Sequence, residues 1–474
     1  MIKMSATNMD YETQVKKVQN IVSSPMRKFK PEELKAIAER YEKNHQKSKQ
    51  AFERAKKIIP GGVEHNLAFN WPFPLESKKV WDCYMQTIDD VVLTDYLMDG
   101  GPIILGHNYK PHTEKVVEVI EEYGSCHGIT NEYEYKAAEE LQKYFPSLER
   151  VRWLQSGTEA DMLALRIARI YTGNKHVIKL GGHYHGWSDQ LVYDLHIPGT
   201  LRMESHGIPR NIYKHISSVP PNDIEALRQE FKDKRRVAAV ILEPMGGESG
   251  AIPVKPGFDK EVEELCHENG ALLISDEVVC AFRLDMGGGQ KYFGYEPDLS
   301  VFGKIVGHGY PSAAAIGGRA DIMKLVAAGV GGGAKRAYCG GTLAANPLTC
   351  AAAYWAMKFV KETNATEVAG RAATRLSNGM NEIFERYELP WFSYNYNAAV
   401  HFHTSCVFGV DITDPKQAPQ IKKRKEFMEE MGAALVDQEL ISVAGSRFYT
   451  CIQHTDEIVD ETIQKIDNIC QKIE

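Results

Sequence analysis

Short apolar runs alternating with helical stretches organise the chain from about residue 100 to 345. Val151–Gln155 reads as a strand followed by a helix, and Val177–Leu180, Val237–Leu242, Leu272–Ser275 and Leu299–Phe302 are further short apolar runs of strand length. Between some of them lie segments of helical periodicity, such as Asp223–Phe231 and Glu261–Glu268. Ala160, Leu163, Ala164, Ile167, Ala168 and Tyr171 mark another, beginning at Ser156. Alternation of this kind predicts βαβ units and a mainly parallel sheet. After residue 346 the pattern changes to long helices, Leu348–Lys361, Glu367–Tyr387 and Lys422–Asp437. Strands at Ala399–His403 and Phe448–Gln453 interrupt them, which predicts a smaller α+β domain. At the other end, residues 1–58 are rich in Lys, Glu and Gln, with helical spacing of Leu34, Ile37, Ala38 and Tyr41. They read as an N-terminal arm of helices lying on a partner subunit, with a partly disordered tail over residues 1–25 as the alternative. Pro60-Gly61-Gly62 ends the arm, and Val80-Trp81 with Val91–Leu93 predicts a strand pair joined by a long connection. The expected division is an arm (1–58), a large domain (59–345) whose N-terminal strands contribute to the small domain, and a small C-terminal domain (346–474).

Composition narrows the class. A chain of 474 residues is longer than one minimal domain, and 43% hydrophobic with 25% charged residues is ordinary for a soluble globular protein. The net charge of -7 argues against a general affinity for nucleic acid. No apolar run is long enough to span a bilayer, and the first residues lack the apolar core of a signal peptide. Nine cysteines without CxxC pairs read as reduced thiols of a cytoplasmic protein.

The candidate chemistry sits at the predicted strand ends, where open α/β sheets bind ligands. Asp276 closes one apolar run and Lys304 follows another. A lysine able to form a Schiff base, delivered beside a carboxylate able to partner a ring nitrogen, suggests pyridoxal phosphate. Ser156-Gly157-Thr158-Glu159-Ala160 opens a helix directly after a strand. Ser156 and Glu159 have the form of a capping box, and the helix N-terminus with its two hydroxyls suits a phosphate. His183-Tyr184-His185-Gly186 offers a tyrosine to stack on a planar group. The His183/His185 and His401/His403 pairs lack the accompanying ligands a metal needs, so no metal is assigned. Glu243-Pro244-Met245-Gly246-Gly247-Glu248 is another strand-end cluster. The glycine-rich 329–335 segment lacks a phosphate-loop ending and reads as a flexible loop.

Leu154–Ala160, Tyr184-His185-Gly186, Glu243-Pro244, Asp276-Glu277-Val278, Gly303-Lys304-Ile305 and Gly341-Thr342…Asn346-Pro347-Leu348 occur in the order and spacing of the class III aminotransferases, fold-type I pyridoxal-phosphate enzymes. With Pro297-Asp298-Leu299 and Gly317–Met323, the chain most resembles the glutamate-1-semialdehyde aminomutase-like branch. The resemblance implies that Lys304 forms the Schiff base and shuttles the proton. It implies that Asp276 holds the pyridine nitrogen protonated and that Val278 and Tyr184 sandwich the ring, with His185 beside them in the cofactor site. Ser156, Gly157 and Thr158 would bind the phosphate, and Thr342 would reach the phosphate of the neighbouring subunit of a homodimer.

Three departures bear on substrate. Ala68 stands where the aminomutase places a carboxylate-binding arginine, which favours an aminotransferase with a separate keto-acid acceptor and leaves an aminomutase or racemase as the alternative. A non-catalytic pyridoxal-phosphate-binding protein is the remaining reading. Glu248 and Arg447 resemble the glutamate and switch arginine of ornithine- and γ-aminobutyrate-type aminotransferases, with Arg283 as a further carboxylate ligand. The stretch from Cys83 to Thr94 is longer than in relatives and would either shape the substrate entrance or be a neutral extension.

Overall fold

The computed structural model describes residues 8–68, 70–124, 128–234, 236–329 and 335–474. The expected flexible loop at 329–335 therefore lies mostly outside the described residues. Strands β1 (Ser77–Trp81), β2 (Tyr84–Thr87) and β3 (Val92–Asp95) come first. Then follow β4 (Arg150–Leu154), β5 (His176–Leu180), β6 (Ile216–Val219), β7 (Val237–Leu242), β8 (Leu272–Asp276), β9 (Leu299–Phe302) and β10 (Ala314–Gly318). The last are β11 (Phe392–Tyr396), β12 (Ala399–His403), β13 (Leu440–Ile441) and β14 (Arg447–Tyr449). No described helix is long and apolar enough to cross a membrane.

The chain forms two compact units, one of residues 110–366 and one of residues 1–109 with 367–474. The larger is an α/β unit built on a seven-stranded sheet of order β4-β10-β9-β8-β7-β5-β6. β5, β6, β7, β8 and β9 run parallel, while β10 is antiparallel to both β4 and β9. Every residue of β7, β8 and β9 is buried, which is why those strands read as unbroken apolar runs. The 157–172 helix packs its apolar face (Ala160, Leu163, Ala164, Ile167, Ala168) on this sheet. The expected boundary at 345/346 falls instead at 366/367, because the helix Pro347–Glu362, capped by Asn346, packs against the helices Lys110–Tyr123 and Glu132–Tyr144.

The smaller unit holds two sheets, β1-β2-β3-β13 and β11-β12-β14. The expected arm boundary at residue 58 disappears because the arm belongs to this unit's own core. Ile37 and Tyr41 are buried in one cluster with Phe427, Leu435 and Val436, and Arg40 forms a bidentate pair with Asp437 at 2.7 and 2.8 Å. Residues 11–23 are a helix capped by Asp10 rather than a disordered tail. The long stretch from Cys83 to Thr94 is a β2–β3 hairpin, not a loop. Its turn residue Asp89 accepts from the amides of Lys47 at 2.6 Å and Ser48 at 3.1 Å, capping the helix Gln46–Ala55.

Arg424, fully buried on the helix Ile421–Asp437, closes the arm. Its guanidinium donates to the carbonyls of Ser405 at 2.6 Å, Ile21 at 3.3 Å and Val22 at 3.1 Å, satisfying the last turn of the 11–23 helix. Arg424→Met keeps the volume and removes the donors. It should destabilise the protein by about 1–3 kcal/mol for each carbonyl left buried and unpaired, seen as a lower Tm and as early protease cleavage before residue 25.

Candidate active site

Three glycine contacts draw the predicted strand-end segments of the larger unit together. A Cβ on Gly157 would lie 2.8 Å from Val278 Cγ2, so the helix N-terminus comes down onto the loop after β8 only because residue 157 has no side chain. Gly186, at φ +76°, would collide with Thr158 Oγ1 if it carried a Cβ, which sets the Tyr184-His185-Gly186 turn against the same helix end. Gly303 lies against Val278 as well, so Lys304 emerges beside Asp276. The helix Gly157–Thr172 thus points its N-terminal amides and dipole toward Val278, the Tyr184 turn and the Lys304 turn. Ser156 Oγ accepts from the Glu159 amide at 3.3 Å, one half of the expected capping box. The other half is displaced by one residue, because the Glu159 carboxylate takes the Gln155 amide at 3.1 Å. Ser156 is exposed and keeps its hydroxyl at this end of the helix.

Asp276 is buried at the end of β8, paired in register with Val301 of β9. Its Oδ1 accepts from the Val278 amide at 3.1 Å and its Oδ2 meets His185 Nδ1 at 2.8 Å. Burial pushes its carboxyl up to about 7, against the opposing pull of the Val278 amide and the Lys304 ammonium. Lys304 sits at φ +48°, a conformation a side-chain-bearing residue adopts at a cost of about 1–3 kcal/mol and keeps only where its surroundings enforce it. Strain of this sort concentrates at functional positions, and Glu248 and Ser249 share it at φ +43° and +54°.

The Tyr184 turn is fixed from below. Glu243, buried after β7, accepts from the Tyr184 amide at 2.8 Å and from the amide and hydroxyl of Ser249 at 2.9 and 2.8 Å, while its own amide donates to His183 Nδ1 at 2.9 Å. Lys179 of β5, wholly buried, donates to the His183 carbonyl at 2.9 Å. These contacts leave the Tyr184 ring exposed and the His185 ring buried against Asp276. Burial, with Asp276 nearby, raises the Glu243 carboxyl from 4.5 to about 8. A carboxyl raised on folding binds its proton more tightly in the folded state, so it stabilises most at low pH and loses that stability as pH rises from about 4.5 to about 8. The stability difference between the cofactor-free protein and its Glu243→Gln variant should therefore shift in the variant's favour across that window, measured by urea unfolding at several pH values.

The remaining candidates fall in different places. Glu248 pairs with His196, Oε2 to Nδ1, at 2.8 Å. Arg283 is fully buried in the turn after β8. Thr342 is exposed, and its neighbour Gly341 lies against Gln155 of the same chain. Arg447 belongs to the smaller unit, in β14, where Nη1 donates to Tyr449 Oη at 3.2 Å. Sequence reasoning missed Asp161, buried one turn into the helix that opens at Gly157. Its signal was an acid on the same helical face as Ala164, Leu165 and Ala168.

The family model for "Aminotransferase class-III" matches residues 70–390. The chain belongs to the class III aminotransferases. Among its relatives, this class III chain is 34% identical over 437 residues to the glutamate-1-semialdehyde 2,1-aminomutase of Methanocaldococcus jannaschii, covering 90% of this chain and 99% of the relative. Among solved structures, an omega-transaminase from Sphaerobacter thermophilus superposes with a TM-score of 0.82 at 27% identity, over 90% of this chain and 97% of that one. A glutamate-1-semialdehyde aminomutase variant from Pseudomonas aeruginosa, in complex with PMP, shares the fold with a TM-score of 0.80 at 21% identity, over 97% and 99%.

Pyridoxal phosphate is the cofactor of this family, and the residues of this class III chain fit it. A glycine-lined helix N-terminus carrying two hydroxyls suits the phosphate. A buried carboxyl with His185 on one oxygen and a backbone amide on the other suits a ring N–H that would hold it charged. A lysine lies within electrostatic reach of that carboxyl.

Proposed function

We propose that this chain is a pyridoxal-phosphate-dependent isomerase of the glutamate-1-semialdehyde 2,1-aminomutase type, moving an amino group between two carbons of one substrate. The observation that carries the reading is the 34% identity spanning 99% of the M. jannaschii aminomutase. This reverses the order expected from the sequence, where a two-substrate aminotransferase came first. Transamination remains the second reading, on two specific grounds. Ala68 stands where an aminomutase would carry an arginine, and the omega-transaminase superposes over nearly its whole length.

Bound cofactor would supply an electron sink for the carbanion formed at the amine-bearing carbon. The protein's own residues account for the rest. Lys304 Nζ would hold the cofactor between turnovers and carry the proton at the reacting carbon. Asp276 would keep the ring nitrogen protonated, with Val278 and Tyr184 on the two ring faces and His185 orienting Asp276. Ser156, Gly157 and Thr158 would hold the phosphate by amides and hydroxyls, and Thr342 would serve the neighbouring subunit's phosphate in a homodimer. Arg447 and Arg283 would bind substrate carboxylates, and Glu248 would compete for an arginine when no carboxylate is present.

The test is to mix the cofactor-loaded protein with glutamate 1-semialdehyde and, in parallel, with α-, β- and ω-amino acids, with no keto acid added. Many turnovers to the isomer bearing its amino group on carbon 1 support the mutase. One equivalent of carbonyl product from an amino acid, with turnover only once a keto acid is supplied, replaces it by the aminotransferase. Silence with every substrate overturns both.

A further inference from the structure

Two buried polar atoms beside the candidate cofactor site have no hydrogen-bond partner among the described residues: Asp161 Oδ1 and His185 Nε2. Their residues belong to one cluster. A carboxylate oxygen of Asp161, a ring nitrogen of His185 and a carboxylate oxygen of Asp276 lie within 4.8 Å of one another, all buried. His185 Nδ1 and Asp276 Oδ2 are already hydrogen-bonded at 2.8 Å, so the trio is built to share protons rather than to surround an ion.

Proton counting assigns the donors. Asp276 Oδ1 accepts from the Val278 amide, and Oδ2 must accept as well if Asp276 is to face a cationic ring as a carboxylate. His185 therefore carries its proton on Nδ1 and donates it to Asp276, which leaves Nε2 as a bare lone pair. A buried lone pair needs a donor, and the acid hydroxyl of a protonated Asp161 can supply one. We propose that Asp161 is a positioning residue that donates a hydrogen bond to His185 Nε2, fixing the ring's tautomer and holding Asp276 as the acceptor for the cofactor's ring nitrogen.

The electrostatics agree. Burial, then Asp276 and Glu243, hold the Asp161 carboxyl well above its usual range, which favours its protonated form. Burial, then Lys179 of β5, keeps His185 neutral. His183, on the same turn, is kept neutral by burial and by its neighbours His185 and Lys179. Lys304, from the turn after β9, favours the charge on Asp276. Of two adjacent buried carboxyls only one ionises, and the lysine selects Asp276.

The inference rests on the reading that Asp276 faces the cofactor ring, and the test separates the two. Full-length wild-type, Asp161→Asn and Asp161→Leu proteins would be compared by pyridoxal-phosphate dissociation constant, by the pH dependence of the bound-cofactor absorbance, and by infrared difference spectra of the cofactor-free proteins. The asparagine amide can still donate to Nε2, whereas leucine cannot. Asp161→Leu should weaken cofactor binding about tenfold or more and shift the absorbance titration, while Asp161→Asn should stay close to wild type in both. The wild-type-minus-Asn infrared spectrum should show one protonated carboxylic-acid carbonyl stretch. Leu and Asn variants that behave alike, or an infrared difference without that stretch, would overturn the proposal. A wild-type protein that binds no pyridoxal phosphate would refute the functional reading instead, and the infrared comparison would still decide whether Asp161 holds its proton.

Discussion

Lys304→Ala should bind pyridoxal phosphate and lose about 10²–10⁴-fold in turnover, the range for removing a positioned proton-transfer group. The expectation comes from the position of the residue. Lys304 follows β9 at φ +48° and lies within electrostatic reach of Asp276 at the end of β8. A free lysine is a cation with a pKa near about 10.4 and is a poor nucleophile at neutral pH until its charge is removed. Lys304→Arg discriminates between roles. If the residue served only as a countercharge to Asp276, arginine would restore much of the activity. If it must carry the proton and attach the cofactor, Lys304→Arg should be as inactive as Lys304→Ala. Steady-state turnover with absorbance spectra of both variants measures this.

Asp276→Asn should retain cofactor and lose about 10²–10³-fold in turnover, comparable to removing one preorganised electrostatic contact from a transition state. Asparagine is nearly the same size, so the Val278 amide and the His185 ring keep neighbours of the right shape. What disappears is the negative charge that holds the ring nitrogen protonated. The loss should appear in kcat with KM little changed, because the charge matters when the carbanion develops rather than when substrate binds. An Asp276→Asn protein with near-normal turnover would remove Asp276 from the chemistry.

The centre of the large sheet was legible because β7, β8 and β9 are buried on both faces and rich in branched aliphatic or aromatic residues. Val237–Leu242 and Leu299–Phe302 match β7 and β9 residue for residue, and Ala399–His403 matches β12. β10 escaped notice because Ala-Ala-Ile-Gly-Gly has little β-branched or aromatic content, and its place in the sheet depends on pairing with β4 and β9 rather than on its own pattern. β13 is only two residues long and exists through parallel pairing with β3. The unit boundaries failed for a related reason. Which core a helix joins depends on contacts distant in sequence, as when Tyr41 packs among residues beyond 370, and local periodicity carries no record of that.

The candidate site was legible where chemistry demands a residue type at a strand end, as with Asp276, Lys304 and the Ser156–Thr158 turn. Asp161 was not, because its importance comes from its approach to His185 and Asp276, which exists only in the folded chain. The contact of Glu248 Oε2 with His196 Nδ1 at 2.8 Å was not legible either, because it depends on how two segments distant in sequence meet.

The central claim is that Lys304 attaches pyridoxal phosphate at this strand end. The direct measurement is to load the purified protein with pyridoxal phosphate, reduce it with borohydride, digest it and locate the modified lysine by peptide mass spectrometry. The account predicts one phosphopyridoxyl group per chain, on Lys304, and none on the Lys304→Ala variant. Modification at another lysine, or none at all in a protein that has taken up the cofactor, would contradict it.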